Sequence, residues 1–135
     1  MDTSGIAEAV DAAKNSEVAG IFGGRASAAL ARDFKSSTSG EGFDLNDLNL
    51  TGAQSQLIRE VYRTGTPVIL EMVTGKPFAI EWEKNNLPAI LVQWYAGELA
   101  GNSIADILFG EVVPSGRLTF SFTRGTGLLR VFYDY

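Results

Sequence analysis

The 135-residue chain contains no cysteine and no histidine. Those two absences exclude disulfides, thiolate nucleophiles, serine–histidine triads and any zinc centre built on nitrogen or sulfur ligands. Proline is scarce, with four residues, and no apolar run approaches the length of a membrane span. The start, Met1-Asp2-Thr3-Ser4, has neither a basic n-region nor an apolar h-region. Basic residues are the minority, 11 against 16 acidic, giving a net charge of -5 without a basic cluster. That balance argues against nucleic acid or an anionic membrane as partner. Chemistry is left to carboxylates, hydroxyls, tyrosines and lysines, and no metal or cofactor is expected.

What is present suits one globular domain spanning residues 1–135. Hydrophobic residues make up 45% and charged residues 20%, enough apolar surface to build a core at this length. Neither an internal repeat nor a low-complexity linker interrupts it.

Ile6, Ala9, Val10 and Ala13 recur at helical spacing, with Thr3 or Ser4 placed to cap the helix. Val18 to Phe22 reads as a short buried strand. Residues 23–49 form a long polar loop in which Ala26 to Arg32 has the composition of a helical turn or two; loops of this length in compact domains are usually functional. Thr51 with Gln54 makes a capping box for a helix carrying Leu57, Ile58 and Val61 on its inner face, ended by Gly65 and Pro67.

Pro67 to Val73 scarcely alternates, the pattern of a strand covered on both faces, and Ala89 to Gln93 is a third strand. Short helices are expected over 79–86 and 102–109, a strand over Leu118 to Phe122, and extended chain over Leu128 to Tyr133. Strand and helix alternate, so the class is α/β with a mostly parallel, doubly wound sheet, a three-layer αβα sandwich. Glu71 breaks the apolar second strand. A buried unpaired carboxylate costs several kcal/mol unless neutralised or paired, so this strand either faces an opening at Glu71 or is less enclosed than its neighbours suggest.

The strand order puts two features on the carboxyl edge of the sheet, where open α/β sheets bind ligands. One is Trp94-Tyr95, an aromatic pair that suits sugar stacking and core cover equally. The other is Ser39-Gly40-Glu41-Gly42-Phe43-Asp44, whose flanking glycines allow a tight turn that presents the Glu41 carboxyl outward; taken alone, the hexapeptide also has the composition of a surface turn. Asp44 and Asp47 have the chemistry of turn formers, and Lys76 before Pro77 that of a solvated loop cation. Gly20-Ile21-Phe22-Gly23-Gly24-Arg25 lacks the G-x-G-x-x-G spacing of a dinucleotide loop.

In order along the chain come the Glu41 loop, Leu48-Asn49-Leu50-Thr51-Gly52-Ala53-Gln54, Thr64-Gly65-Thr66-Pro67, Thr74-Gly75-Lys76-Pro77-Phe78, Trp94-Tyr95-Ala96-Gly97, Asn102 to Gly110, and Pro114-Ser115-Gly116-Arg117-Leu118. This ordered set, covering nearly the whole chain, resembles the C-terminal α/β domain of glycoside hydrolase family 3, the β-glucosidases and β-xylosidases. The resemblance implies a flavodoxin-like sheet truncated on its N-terminal side, beginning midway through the family domain. It implies retaining hydrolysis of β-glucosides or β-xylosides with Glu41 as general acid/base and Trp94, Tyr95 and Asp44 meeting the substrate. Retaining hydrolysis needs two carboxyl groups about 5 to 5.5 Å apart. In the family the nucleophile is an aspartate on a preceding (β/α)8 barrel of roughly 250 residues, more than this chain can hold. A carbohydrate partner is thus expected only where a barrel completes the site, and the chain alone is expected to be inactive.

The departures fall mostly at site positions. Asp44-Leu45 stands where the family usually has Asp-Arg, and Ala96-Gly97-Glu98-Leu99-Ala100 where it often has Pro-Gly-Gln-Glu-Gly. Thr51, Thr119 and Thr123 replace family prolines, and Leu128 replaces a histidine. Truncation would also leave Val18 to Phe22 as an open sheet edge beside Ile6, Val10, Ile21 and Phe22, so a homodimer through that edge is expected. A self-associating structural half-domain and a non-catalytic carbohydrate-binding module are the two alternatives.

Overall fold

The computed structural model describes residues 2–26 and 47–127. The chain runs α1 (Ile6–Lys14), β1 (Ala19–Gly24), α2 (Gln54–Tyr62), β2 (Val68–Val73), α3 (Glu81–Asn86), β3 (Ala89–Val92) and α4 (Ala100–Leu108). The sheet has the order β1-β2-β3 and both pairings are parallel. Each strand is therefore joined to the next by a crossover carrying a helix, as the alternation of the sequence requires.

Because side chains alternate along a strand, the register divides the sheet into two faces. Val68, Leu70 and Met72 of β2 share one face with Ile21 of β1 and with Ile90 and Val92 of β3. That face joins Ala13 of α1, Ile58 and Val61 of α2, and Ile80 and Leu87 at the ends of α3 in one buried cluster. Phe78, Ile58 and Leu70 are completely enclosed, each contributing on the order of 1.5–3 kcal/mol by burial. Outside this cluster Tyr62 meets Trp82 edge to face at 5.3 Å, and the Arg59 guanidinium lies 4.4 Å over the Trp82 ring, tying α2 to α3.

On the opposite face Phe22, Glu71 and Leu91 stand side by side in register. Glu71 is 1% exposed. Neither expected opening nor loose enclosure is found there; instead the side chain is fully buried, and neither carboxylate oxygen has a hydrogen-bond partner among the described residues. Burial alone raises its pKa from 4.5 to about 7, so below that pH the site accommodates the group by keeping its proton on.

Three local expectations are corrected. The Thr51–Gln54 capping box does not form, because the turn at Gly52 (φ +61°) delays the helix, which starts at Gln54 behind Ala53. Thr3 and Ser4 do not cap α1, whose N-cap is Gly5; the Ser4 N–H is instead held by Asp2 Oδ1 at 2.9 Å. Leu118 to Phe122 is not a strand: alternation needs a neighbouring ladder to become one, and none of the three strands pairs with it. Leu118 and Phe120 are left 52% and 41% exposed. The expected helical turns beyond Ala26 and the extended stretch from Leu128 lie outside the described residues.

Candidate functional site

At the carboxyl edge of the sheet the ends of all three strands converge. β1 ends in Gly24 at φ +142°, where a Cβ would run into the Val73 carbonyl oxygen, so only glycine fits. Arg25 follows, its N–H donating to that same Val73 carbonyl at 3.0 Å. Its side chain is buried and turns across the edge with the guanidinium 4.9 Å over the Phe78 ring. Nη2 donates to the carbonyls of Asp47 at 2.8 Å and Asn49 at 2.9 Å. Burial draws the Arg25 pKa down, opposed by the negative charge of Asp47; arginine nevertheless stays protonated and donating.

This arrangement has a topological consequence. The chain leaves β1 through Arg25 and Ala26 and re-enters the described structure at Asp47. Arg25 therefore joins the outgoing and returning ends of the segment that carries Glu41 and Asp44. Asp47 rigidifies the return, its Oδ1 accepting from the Asn49 N–H at 2.9 Å, the turn-forming role its sequence context suggested. Glu41 and Asp44 themselves lie outside the described residues.

Two residues beyond β3 stands Trp94, whose backbone is left-handed at φ +59°, a conformation costing roughly 1–2 kcal/mol for a residue with a Cβ. The bend sends the two aromatics apart. Trp94 meets Phe120 edge to face at 5.1 Å, and Phe120 stacks on Phe122 at 6.2 Å. Tyr95 lies over the other strand ends, its hydroxyl donating to the Arg25 carbonyl at 3.1 Å and its ring so close to Gly75 that a Cβ there would sit 2.8 Å from it. Lys76 is half-buried rather than freely solvated; its N–H donates to Thr74 Oγ1 at 3.1 Å, and that hydroxyl donates to the Lys76 carbonyl at 2.7 Å.

Tyr95 and the anchored ends of the 27–46 segment thus share one edge, while Trp94 serves a separate aromatic cluster. Sequence reasoning missed Arg25. The available signal was a cation directly after Gly23-Gly24 at a strand's carboxyl end, flanked by a long loop. Among the described residues no group of three acidic, cysteine or histidine side chains is placed to hold a metal ion, and no helix is long and apolar enough to cross a membrane.

Comparison with known proteins is consistent along the whole chain. The model of the glycosyl hydrolase family 3 C-terminal domain matches residues 2–135. A β-xylosidase of Formosa agariphila is 40% identical over 129 residues, covering 96% of this chain and 17% of the relative. A periplasmic β-glucosidase of Salmonella typhimurium is 39% identical over 132 residues, covering 96% and 16%. Among solved structures, a β-glucosidase from Listeria innocua in complex with glucose superposes with a TM-score of 0.84 at 29% identity, over 100% of this chain and 18% of that one. A β-glucosidase from Erythrobacter marinus gives 0.79 at 36% identity, over 95% and 17%. The chain thus spans less than a fifth of each of these proteins.

Proposed function

Since the chain belongs to the glycosyl hydrolase family 3 C-terminal domain family, we propose that it is the acid/base-bearing part of a retaining β-glycosidase, acting on β-glucosides or β-xylosides when a barrel supplies the nucleophile and inactive without one. Glu41 protonates the departing glycosidic oxygen and later activates water, while the barrel carboxylate attacks the anomeric carbon. Asp44 and Tyr95 border the sugar; Trp94, turned toward Phe120, acts at a distance by fixing the bend that places Tyr95. The observation that carries this reading is the double hydrogen bond from Arg25 to the carbonyls of Asp47 and Asn49. It holds both ends of the Glu41 segment at the ligand-binding edge of the sheet, which is how a rigid scaffold serves a functional loop. The carbohydrate class comes from the relatives, a β-xylosidase and β-glucosidases.

The test is a chimera in which this chain replaces the matching segment of the Formosa agariphila β-xylosidase. The isolated chain should leave aryl β-glucosides and β-xylosides intact, and the chimera should hydrolyse one of them. Glu41→Gln should then slow alkyl glycosides far more than aryl ones, whose good leaving groups need little protonation. An active chimera indifferent to Glu41→Gln would overturn the assignment.

A second reading, self-association through β1, is favoured by one observation: Phe22 on this edge strand is 62% exposed.

A further inference from the structure

The other edge of the sheet opens into a groove of about 1120 Å³. Its floor is β3, and its walls are α3, α4 and the segment from Val112 to Arg124. In a parallel pair, alternate residues direct both backbone groups to the partner strand. Gln93 donates to the Met72 carbonyl at 3.0 Å, so Leu91 and Gln93 serve β2 while Ile90 and Val92 turn their N–H and C=O toward the groove. Among the described residues nothing pairs with those four groups. They form two donor–acceptor pairs about 6.7 Å apart, the repeat that an extended chain matches. Thr123 on the wall adds a buried hydroxyl without a hydrogen-bond partner among the described residues.

The side chains define what such a chain should carry. Ile90, Val92, Ile107 and Phe122 line the groove with apolar surface, and Trp94 closes one end. Lys84, Arg117 and Arg124 also line it, against Glu81 alone, and none of the three cations belongs to a described ion pair. The groove is therefore locally positive in a chain whose net charge is -5. A twofold copy seated here would set these cations against themselves. A small sugar would leave the strand-spaced amides unmatched.

We propose that this groove docks an extended acidic peptide, which adds as a strand to the free edge of β3 with its apolar side chains inward and its carboxylates at Lys84, Arg117 and Arg124. Main-chain pairing supplies affinity in this mode and the flanking charges supply selectivity. It needs neither Glu41 nor a barrel, so its outcome is separate from that of the glycosidase reading.

The probe is a fluorescein-labelled, blocked nine-residue peptide of alternating valine and threonine with glutamate at both ends and the centre, titrated with the whole chain and followed by anisotropy. Saturable binding is expected, with slowed amide exchange at Ile90 and Val92, and weakening by about tenfold on Lys84→Glu combined with Arg117→Glu. Two further peptides, N-methylated on one or the other alternate set of backbone nitrogens, need no protein variant: one of them should fail to bind. Absence of saturable binding, equal binding of both methylated peptides, or equal binding of a lysine-for-glutamate peptide would each overturn the proposal. So would protection of the Ile90 and Val92 amides in the free protein, which would assign the edge to this chain or, where sedimentation gives a doubled mass, to a second copy.

Discussion

The side-chain amide of Gln54, on the first turn of α2, closes on the backbone of Gly24 at the end of β1. Its Oε1 accepts from the Gly24 N–H at 2.8 Å, and its Nε2 donates to the Gly24 carbonyl at 2.9 Å. The Thr51 hydroxyl supports it by accepting from Nε2 at 2.9 Å. A carboxamide offers one donor and one acceptor in a peptide-like arrangement, so Gln54 occupies the place of a neighbouring strand. β1 directs Ala19 and Arg25 to β2 and hence Gly20, Phe22 and Gly24 outward. Gln54 thus blocks one of three open positions on an edge that would otherwise invite pairing.

Gln54→Ala should cost about 2 kcal/mol, from two hydrogen bonds lost and the Gly24 groups left partly buried. Denaturant melts would measure it. Gln54→Glu should recover little, because a carboxylate has no donor for the Gly24 carbonyl. A Gln54→Ala variant as stable as the parent would mean that water replaces the amide fully.

Gly24→Ala should be far more damaging, several kcal/mol or outright failure to fold, because φ +142° and the Val73 carbonyl both exclude a Cβ. Gly52 offers the contrast. It also has positive φ, +61°, but nothing lies within 4 Å of its Cβ position, so Gly52→Ala should cost only about 1–2 kcal/mol. Comparable thermal shifts for the two variants would contradict this ranking.

The parallel sheet was legible because covered strands leave uninterrupted apolar runs, and Val68 to Val73 is such a run apart from Glu71. Helix α2 was legible from Leu57, Ile58 and Val61, but its start was not. A Thr-x-x-Gln spacing looks the same whether the glutamine folds back on its own helix or reaches thirty residues away to Gly24. Leu118 to Phe122 failed for a related reason: alternation records a tendency to lie on a surface, while a strand needs a partner that sequence periodicity cannot specify. Arg25 was passed over because a cation after Gly23-Gly24 does not by itself specify a role that depends on two carbonyls more than twenty residues distant. Trp94 and Tyr95 were placed at the right strand end, yet the left-handed backbone that separates them has no sequence signal, since tryptophan rarely adopts it.

Self-association through β1 should respond to Phe22 and not to Ile21. The expected patch included Ile21, but that residue is 8% exposed and sits in the core cluster, so Ile21→Lys would unfold the domain rather than dissociate it. Phe22→Lys places a charge on the open edge without touching the core. Sedimentation at tens of micromolar should give a dimer for the parent and a monomer for Phe22→Lys, both with the parent's circular dichroism. A monomeric parent would remove the homodimer reading.

Glu71 should make the fold weaken as pH rises toward neutrality, opposite to the usual behaviour of a salt-bridged carboxylate. Its pKa is raised by burial from 4.5 to about 7. Between those two values the folded state holds a proton that the unfolded state has released, so stability falls with increasing pH across that window. The stabilisation relative to an ionised site is fully present below about 4.5 and lost once pH passes about 7, a difference on the order of 3 kcal/mol. Among the described residues no opposite charge stands beside it in the sheet: the neighbours in register are Phe22 and Leu91, and Ile69 and Val73 flank it along β2. Glu71→Gln removes the titration while keeping the shape. Near pH 4.5 the variant and the parent should therefore melt together, and by pH 8 the variant should be the more stable by about 3 kcal/mol. Every other titrating group is common to both chains, so the difference between their stability curves isolates Glu71. Parallel curves from pH 4.5 to 8 would mean that Glu71 ionises in the folded state at its ordinary pH, which a carboxyl at 1% exposure, without a hydrogen-bond partner among the described residues, could do only by leaving its place in the sheet.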